Sequence, residues 1–224
     1  MIEIRDVTHS YGERVVLRSV SVSLTERRIG VIGANGSGKS TFARLLNGLV
    51  LPDSGTVTVY GAATAKDAVA VRRMVGFVFT DPDAQILMPS VAEDVAFGLR
   101  KRRLGKDKTE RMVAEALEMV GLSDHAEHPA HLLSGGQKQL LALTSVLVTE
   151  PRILVCDEPT TLLDLPNTRR VLELIDALPQ QVVMVTHDLE SVAGYDRVLV
   201  FHEGRLAADD RPGPAVEFYR GLVT

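Results

Sequence analysis

The chain has 224 residues, of which 45% are hydrophobic and 24% charged, and its formal net charge is −4 at pH 7. This length suits one large domain or two small ones with a sizeable buried core. The mixed, slightly acidic charge excludes the concentrated basic face typical of proteins that bind duplex nucleic acid, so we expect no nucleic-acid partner. The single cysteine, Cys156, excludes an intrachain disulfide and favours a reducing, cytosolic compartment.

No segment of the sequence has the pattern of a signal peptide or a transmembrane helix. Residues 1–16 alternate charged and apolar types and lack a continuous apolar core. The best apolar candidate, residues 140–148, is shorter than the roughly 18 residues that a membrane span requires. The sequence therefore predicts a chain that does not form a membrane path by itself.

Strand-like and helical patterns alternate along the chain, without repeats or low-complexity linkers. The apolar strand patterns are IEIRDV, RSVSVSL, RRIGVIG, GTVTVYG, MVGFVF, RILVCDEP, QVVMVTHD and RVLVFHEG. Helices are expected over 39–48 and 167–178, and most of 81–147 is helical in pattern, beginning at a capping box in Ser90–Glu93. Continuous apolar strands suit a sheet that is buried on both faces. We therefore predict one α/β domain over 1–224, with a core lobe over about 1–80 and 148–224 and a helical subdomain over about 81–147.

The strongest local motif is GANGSGKS, which follows a predicted strand and precedes a predicted helix. It fits G-x-x-x-x-G-K-[ST], a match expected by accident on the order of once in a hundred chains of this length. Glycines allow backbone N–H groups to surround phosphate oxygens, and the helix N-terminus adds partial positive charge. Lysine should reach the β- and γ-phosphates, and serine should offer its hydroxyl to Mg²⁺. The predicted phosphate-binding residues are Gly33, Ala34, Asn35, Gly36, Ser37, Gly38, Lys39, Ser40 and Thr41.

Two acidic residues follow the apolar strand pattern ILVC. In an open parallel sheet, ligands bind at the carboxyl ends of the strands, where Asp157 and Glu158 should lie. Asp157 is expected to hold Mg²⁺ through water, and Glu158 to take a proton from an attacking water. Alone, the pair could equally be two solvated acids, but the phosphate loop favours the catalytic interpretation.

A third motif, LLSGGQKQ, directly precedes a predicted helix. Ser134 and Gln137 have the spacing of a capping box, and helix capping alone would explain the serine. Gly135 and Gly136 in the first turn each destabilise a helix by about 1 kcal/mol relative to alanine. Two glycines there are useful if a phosphate approaches the exposed backbone at the helix N-terminus. Because the chain already has one phosphate loop, the second motif predicts a site shared between two copies.

Together these motifs resemble those of ATP-binding cassette (ABC) transporter ATPases, and the resemblance covers essentially the whole chain. It implies a P-loop core with a mostly parallel sheet, an antiparallel β part and a helical subdomain. It implies ATP and Mg²⁺ as ligands, Asp164 in a D-loop, His187 as a γ-phosphate sensor and Tyr11 stacked on adenine. It also implies a head-to-tail dimer, with itself or a paralogous ATPase, in which Ser134–Gln137 of one copy close over ATP on the other.

The segment FVFTDPDAQILMPSVAEDVAFG resembles the Q-loop region of the energy-coupling-factor (ECF) subgroup, which serves cobalt, nickel and vitamin uptake. The short C-terminus is most similar to the biotin-transport members. The subgroup implies an integral membrane coupling subunit, a substrate-binding membrane subunit and a peripheral position at the cytoplasmic face of the membrane. An ordinary ABC importer for amino acids or metals, or a non-transport ABC ATPase, shares the other motifs.

One residue departs from the family pattern. The Q-loop glutamine falls at Thr80, which keeps a hydroxyl but loses reach. Thr80 is either a metal-shell residue that acts through water or a tolerated strand-end residue. Gln85, five positions on, is expected to point toward the groove for the membrane partner.

Overall fold

The computed structural model describes residues 1–224. It contains ten strands and seven helices. The bounds of the strands are β1 (Ile2–Tyr11), β2 (Arg14–Leu24), β3 (Arg28–Gly33), β4 (Ser54–Val59), β5 (Ala62–Ala63), β6 (Val75–Val78), β7 (Ile153–Asp157), β8 (Gln181–Val185), β9 (Arg197–His202) and β10 (Arg205–Asp210). The bounds of the helices are α1 (Lys39–Leu46), α2 (Ala68–Met74), α3 (Val91–Leu99), α4 (Lys106–Met119), α5 (Gly135–Leu147), α6 (Leu165–Ala177) and α7 (Pro212–Val223).

The contacts divide the chain into two compact units. The first comprises Met1–Phe77, Arg152–Glu158 and Pro179–Thr224, and the second comprises Val78–Pro151 and Pro159–Leu178. Residues 159–178 therefore group with the helices that precede them, because α6 contacts α5. The predicted single nucleotide-binding domain with a helical subdomain over 81–147 stays a prediction.

The first unit contains two sheets. A four-stranded antiparallel sheet has the order β2-β1-β4-β5, and a six-stranded sheet has the order β10-β9-β3-β8-β7-β6. In the larger sheet β9, β3, β8 and β7 run parallel, and β10 is antiparallel to β9. Almost every residue of β3, β7 and β8 is buried, as their continuous apolar sequences predict. The predicted α/β class, with a mostly parallel sheet and an antiparallel part, is confirmed.

Helix α1 joins the two sheets of the first unit. It contacts β2 and β4 of the antiparallel sheet and β3, β7 and β8 of the larger one. Phe42, Leu45 and Leu46 are fully buried, and the Phe42 ring lies 4.8 Å from that of Phe201. The loop before α1 is therefore held between strand β3 and a helix buried along one face.

The second unit consists of helices α3 to α6. Helix α3 contacts both α4 and α5. At Gly98 a Cβ atom would lie 2.7 Å from the Ser145 carbonyl oxygen, so only glycine allows α3 and α5 to approach this closely. Nowhere in the chain is a helix both long enough and apolar enough to cross a bilayer.

Candidate functional site

The phosphate-loop motif lies between the carboxyl end of β3 and the first turn of α1. Gly38 precedes the helix with a φ of 104°, and a Cβ there would lie 2.9 Å from the Val16 carbonyl oxygen. Gly33, with a φ of 150°, would bring a Cβ onto the Phe201 carbonyl. Both positions require glycine, because a side chain would meet rigid backbone as well as an unfavourable φ. The loop therefore keeps its backbone bare where phosphate would approach.

Lys39 is buried within this loop. Its Nζ donates to the carbonyl oxygens of Gly33 at 2.8 Å and Ala34 at 3.0 Å. Burial lowers the pKa of the Lys39 ammonium, while the charges of Glu158 and Asp157 act in the opposite direction. The side chain thus lies folded back along the loop, where its charge faces the space that the loop surrounds.

Asp157 ends β7 beside the first turn of α1. The Ser40 hydroxyl donates to Asp157 Oδ1 at 2.8 Å, and Arg44 lies 3.7 Å from Oδ2. Asp157 is only 1% exposed, and burial raises the pKa of its carboxyl, which the Ser40 hydrogen bond and Arg44 partly offset. A serine hydroxyl beside a carboxylate provides hard oxygen ligands of the kind Mg²⁺ prefers, with the remaining positions left to water and phosphate. These two residues fit a magnesium ion bound together with a nucleotide.

Glu158 and His187 form a pair at the same sheet edge, where β7 and β8 end. His187 Nδ1 lies 2.6 Å from Glu158 Oε2, and the Glu158 backbone N–H donates to the Val185 carbonyl at 2.9 Å. Glu158 has a φ of 55°, a left-handed conformation that costs a non-glycine residue about 1–2 kcal/mol. Strained non-glycine residues concentrate at functional sites, where the surrounding structure holds them in place. The pair combines a proton acceptor with a group that orients it.

Arg14, which sequence reasoning missed, lies beside the phosphate loop. A Cβ on Gly36 would be 3.5 Å from the Arg14 guanidinium, and both residues line an open cleft of about 540 Å³ with Arg18 and Arg205. Tyr11 is half-exposed, and its ring meets the His9 ring edge to face at 4.8 Å. No spacing rule connects these arginines to the loop, because Arg14 and Arg18 lie on β2 and Arg205 begins β10, far away in the sequence.

The second unit carries the other predicted site residues. Ser134 and Gln137 form the expected capping box at the start of α5, with Ser134 N–H donating to Gln137 Oε1 at 2.9 Å. A Cβ on Gly135 would meet nothing, whereas one on Gly136 would clash with Asn167. Gly136 therefore has a packing role within the unit, whereas Gly135 leaves the backbone at the start of α5 exposed to solvent.

Asp164 caps helix α6. Its Oδ1 accepts from the Asn167 backbone N–H at 3.0 Å and from the Asn167 side-chain amide at 2.7 Å. The same Asn167 side chain packs against Gly136. Asp164 is thus connected through one residue to the first turn of α5.

Thr80 is half-buried two residues after the end of β6, and the Gln85 side chain is hydrogen-bonded within the second unit. Gln85 Oε1 accepts from the Phe79 N–H at 3.1 Å, and its Nε2 donates to the Ala142 carbonyl at 2.9 Å. Both ends of its amide satisfy backbone groups of its own unit, and the expectation that Gln85 points toward a partner groove stays a prediction. Gln85 fastens the loop after β6 to α5.

Comparison with known proteins identifies close relatives. A family model described as "ABC transporter" matches residues 17–161. The chain is 55% identical over 224 residues, all of it, to a putative ABC transporter ATP-binding protein of Deinococcus radiodurans, covering 99% of that protein. It is 50% identical over 214 residues to the biotin transport ATP-binding protein BioM of Rhizobium etli, covering 96% of this chain and 95% of the relative.

Two solved structures are also similar. One is cbiO1 from Clostridium perfringens, described as part of the ABC transporter complex cbiONQ, with 30% identity and a TM-score of 0.85 over 99% of this chain and 92% of that one. The other is the ATP-binding cassette MJ0796 in a dimeric post-hydrolysis state bound to ADP and Pi, with 27% identity and a TM-score of 0.84 over 95% of this chain and 99% of that one.

Proposed function

The chain belongs to the ABC transporter family as an ATP-hydrolysing subunit, and from this premise we propose that it energises an ECF-type importer for biotin or a similar vitamin. The observation that carries the importer assignment is the 50% identity to a biotin transport ATP-binding protein along almost the whole chain. The DPDAQ…EDVAFG segment supports the ECF subgroup. A cobalt or nickel importer is the second candidate, because a cobalt import ATP-binding protein is 41% identical.

For ATP binding and hydrolysis, we propose separate roles for four residues of the first unit. Lys39 places its charge against the β- and γ-phosphates, and the backbone of residues 33–41 surrounds them. The Glu158 carboxylate accepts the proton of the water that attacks the γ-phosphorus, as the bond to ADP breaks. His187, whose Nδ1 lies 2.6 Å from Glu158 Oε2, orients that carboxylate and contacts the γ-phosphate. Tyr11 offers its exposed face to adenine.

Mg²⁺, when bound, supplies charge neutralisation between the β- and γ-phosphates. We propose that Ser40 and Asp157 hold it, since their oxygens lie 2.8 Å apart at the end of β7. Burial raises the pKa of Asp157, and a divalent cation beside the carboxylate would act in the opposite direction. The role of Thr80, either in the metal shell through water or as a tolerated strand-end residue, stays a prediction.

We propose that two copies, or this chain and a paralogous ATPase, close head to tail over two ATP molecules. Ser134, Gly135, Gly136 and Gln137 of one copy would then face the γ-phosphate bound by the other, with Asp164 beside them. The dimeric state of the related cassette bound to ADP and Pi supports this arrangement. The exposed Gly135 backbone at a helix N-terminus supports it as well.

The surface for the membrane coupling subunit is proposed to lie on the second unit. A cleft of about 550 Å³ is lined by Met88, Phe97 and Leu104, with Arg100 and Arg103 at its edge. Phe97 is 41% exposed, and the Arg100 guanidinium lies 5.4 Å from its ring. An exposed aromatic ring rimmed by arginines suits an apolar helix that ends in a carboxylate or in C-terminal carbonyls. The chain would then be peripheral, at the cytoplasmic face of the membrane, and the substrate would be selected by a separate membrane subunit.

Affinity purification from detergent-solubilised membranes tests this function. The wild-type chain should retain small integral membrane proteins, and its ATP turnover should rise when they are present. Phe97→Glu should lose them without loss of basal turnover, and Met119→Glu, at an exposed apolar position outside the cleft, should keep them. If the wild-type chain carries no membrane proteins and its turnover does not respond to a membrane extract, a non-transport role is favoured instead.

A further inference from the structure

A cluster of histidines precedes the motif at Ser134–Gln137. Three of the six histidines of the chain, His125, His128 and His131, occur within seven residues, and no lysine or arginine occurs between Arg111 and Lys138. A local excess of acids and imidazoles favours cations over anions. A segment of this composition that binds no cation is simply a solvated turn. The arrangement of its histidine side chains therefore decides between the two.

The rings of His125 and His128 are held together. Their Nδ1 atoms lie 2.9 Å apart, and the other ring nitrogen of His125 lies 2.9 Å from Gln137 Nε2. The backbone beneath them is fixed to the start of α3, because Val91 N–H donates to the His128 carbonyl and Ala92 N–H to the Ala126 carbonyl. A cavity of about 220 Å³ opens beside the two rings, with Gln137 in its wall. The two rings are therefore close together and accessible.

The hydrogen bonds determine where each proton lies. Ser134 N–H donates to Gln137 Oε1, so the amide nitrogen of Gln137 must face His125. His125 Nε2 must then accept, and a neutral imidazole with an accepting Nε2 carries its hydrogen on Nδ1. That hydrogen points at His128 Nδ1, which accepts it. Only this arrangement of protons allows both hydrogen bonds, from Gln137 to His125 and from His125 to His128.

We propose that His125 and His128 form an exchangeable site for a transition-metal dication, and that its occupation opens the Ser134–Gln137 capping box. At metal–nitrogen distances of about 2.0–2.1 Å, ligand atoms 2.9 Å apart subtend about 90° at the ion, and a widening to about 3.3 Å gives tetrahedral geometry. Imidazole suits Zn²⁺, Ni²⁺ and Cu²⁺. No third histidine, cysteine, aspartate or glutamate converges on the pair, so water completes the coordination and the metal exchanges.

The coupling follows from proton placement. A metal on His125 Nδ1 displaces the hydrogen there, and the neutral ring must carry its hydrogen on Nε2. That N–H then faces the Gln137 amide nitrogen, which is also a donor, so the amide must turn and present its oxygen. Once the oxygen faces His125, it no longer accepts from Ser134 N–H. One of the two hydrogen bonds of the capping box at the start of α5 is then lost, while the Gln137 backbone N–H keeps its bond to Ser134 Oγ.

Metal titration of the untagged chain at pH 8, without nucleotide, tests the site. Zn²⁺ or Ni²⁺ should bind at one saturable site per chain. His128→Gln should weaken that binding at least tenfold, and His131→Gln, at the exposed neighbouring histidine, should leave it unchanged. Equal binding by wild type and His128→Gln, or no saturable binding at all, would overturn the proposal. This result does not depend on the proposed transport function.

A second measurement tests the coupling. The side-chain amide resonances of Gln137 should shift on addition of Zn²⁺ to wild type and stay in place in His128→Gln. With excess Mg²⁺ and ATP, the same Zn²⁺ concentration should lower turnover of wild type by a larger fraction than that of His128→Gln. Metal binding without movement of the Gln137 amide would contradict the opening of the box. Inhibition that is equal in both chains would show that Zn²⁺ acts elsewhere.

Discussion

His187 and Glu158 are joined directly, with Nδ1 of the imidazole 2.6 Å from Oε2 of the carboxylate. The two residues are 29 positions apart, and they meet because β7 and β8 are parallel neighbours whose carboxyl ends lie side by side. Glu158 is largely shielded while His187 is 58% exposed at its side chain. The Glu158 carboxylate is thus positioned by His187, whose exposed imidazole can also contact a phosphate.

Glu158→Gln should separate ATP binding from hydrolysis. Glutamine keeps the size of the side chain but cannot accept a proton, so turnover should fall about 10²-fold or more while ATP affinity is retained. Steady-state phosphate release and equilibrium nucleotide binding measure the two effects. Glu190→Gln, at an exposed acidic residue that follows β8, is the matched control and should change neither turnover nor ATP affinity. Near-normal turnover in Glu158→Gln would remove this residue from its proposed role.

Ser134→Arg should block ATP-dependent dimerisation. In the Glu158→Gln background, ATP should produce a particle of twice the monomer mass, because each nucleotide is contacted by both copies. An arginine at position 134 also removes the acceptor of the Gln137 N–H bond and adds bulk at the start of α5. Light scattering with and without ATP measures the mass. A dimer that persists in Ser134→Arg would contradict a site shared through this motif.

Gln85→Ala should destabilise the second unit more than a surface change in the same loop. It removes the hydrogen bonds that the Gln85 amide makes with the Phe79 N–H and the Ala142 carbonyl, at a cost of about 1–3 kcal/mol. Asp83→Ala removes an ion pair to Lys138 in which the aspartate is exposed, and should cost less than about 1 kcal/mol. Urea denaturation of both variants measures the difference, and equal effects would argue against the fastening role of Gln85.

Thr80→Gln tests the departure from the family pattern. Threonine is shorter than the family's glutamine, so any role at a metal would need a bridging water, which costs about 0–2 kcal/mol to immobilise. The substitution should leave ATP affinity within a few fold and change chiefly how far membrane partners stimulate turnover. Thr80→Ala should be mild for the isolated chain. Complete loss of hydrolysis in Thr80→Ala would instead make the hydroxyl a direct ligand.

Asp157→Asn should make the protein more stable and less responsive to Mg²⁺. The raised pKa of Asp157 means that the folded state holds this proton more tightly than the unfolded state. Its ionisation therefore penalises folding above the folded-state pKa, and the penalty disappears as pH falls below the ordinary aspartate pKa. Asparagine removes the penalty and can still accept from Ser40. The stability gain should be present at pH 7 and shrink in acid, as urea denaturation at each pH can show. A variant less stable than wild type at pH 7 would contradict this.

Features encoded within a few consecutive residues could be predicted from the sequence. Both capping boxes, Ser90–Glu93 and Ser134–Gln137, are present where their spacing places them. Helix α1 begins at Lys39 as expected and ends at Leu46, two residues before the predicted stop at Gly48. The buried parallel strands follow from their continuous apolar sequences.

Features that depend on contacts between distant segments could not be predicted. The fit of Asn167 against Gly136 joins residues 31 positions apart, and the bonds of Gln85 reach across to α5. A glutamine in a loop after a strand has the same local pattern whether it faces a partner or its own unit. The position of Arg14 beside Gly36 also depends on the β1–β2 hairpin rather than on any local motif.

The most direct test of the proposed function is tracer uptake by the organism that encodes the chain, with Glu158→Gln introduced at the native gene. The Glu190→Gln strain serves as the matched control. We predict that uptake of labelled biotin from dilute medium falls at least tenfold in the Glu158→Gln strain, while the control strain is unchanged. Loss of cobalt or nickel uptake instead would select the second candidate. Normal uptake of biotin, cobalt and nickel in the Glu158→Gln strain would contradict the assignment to an ECF importer.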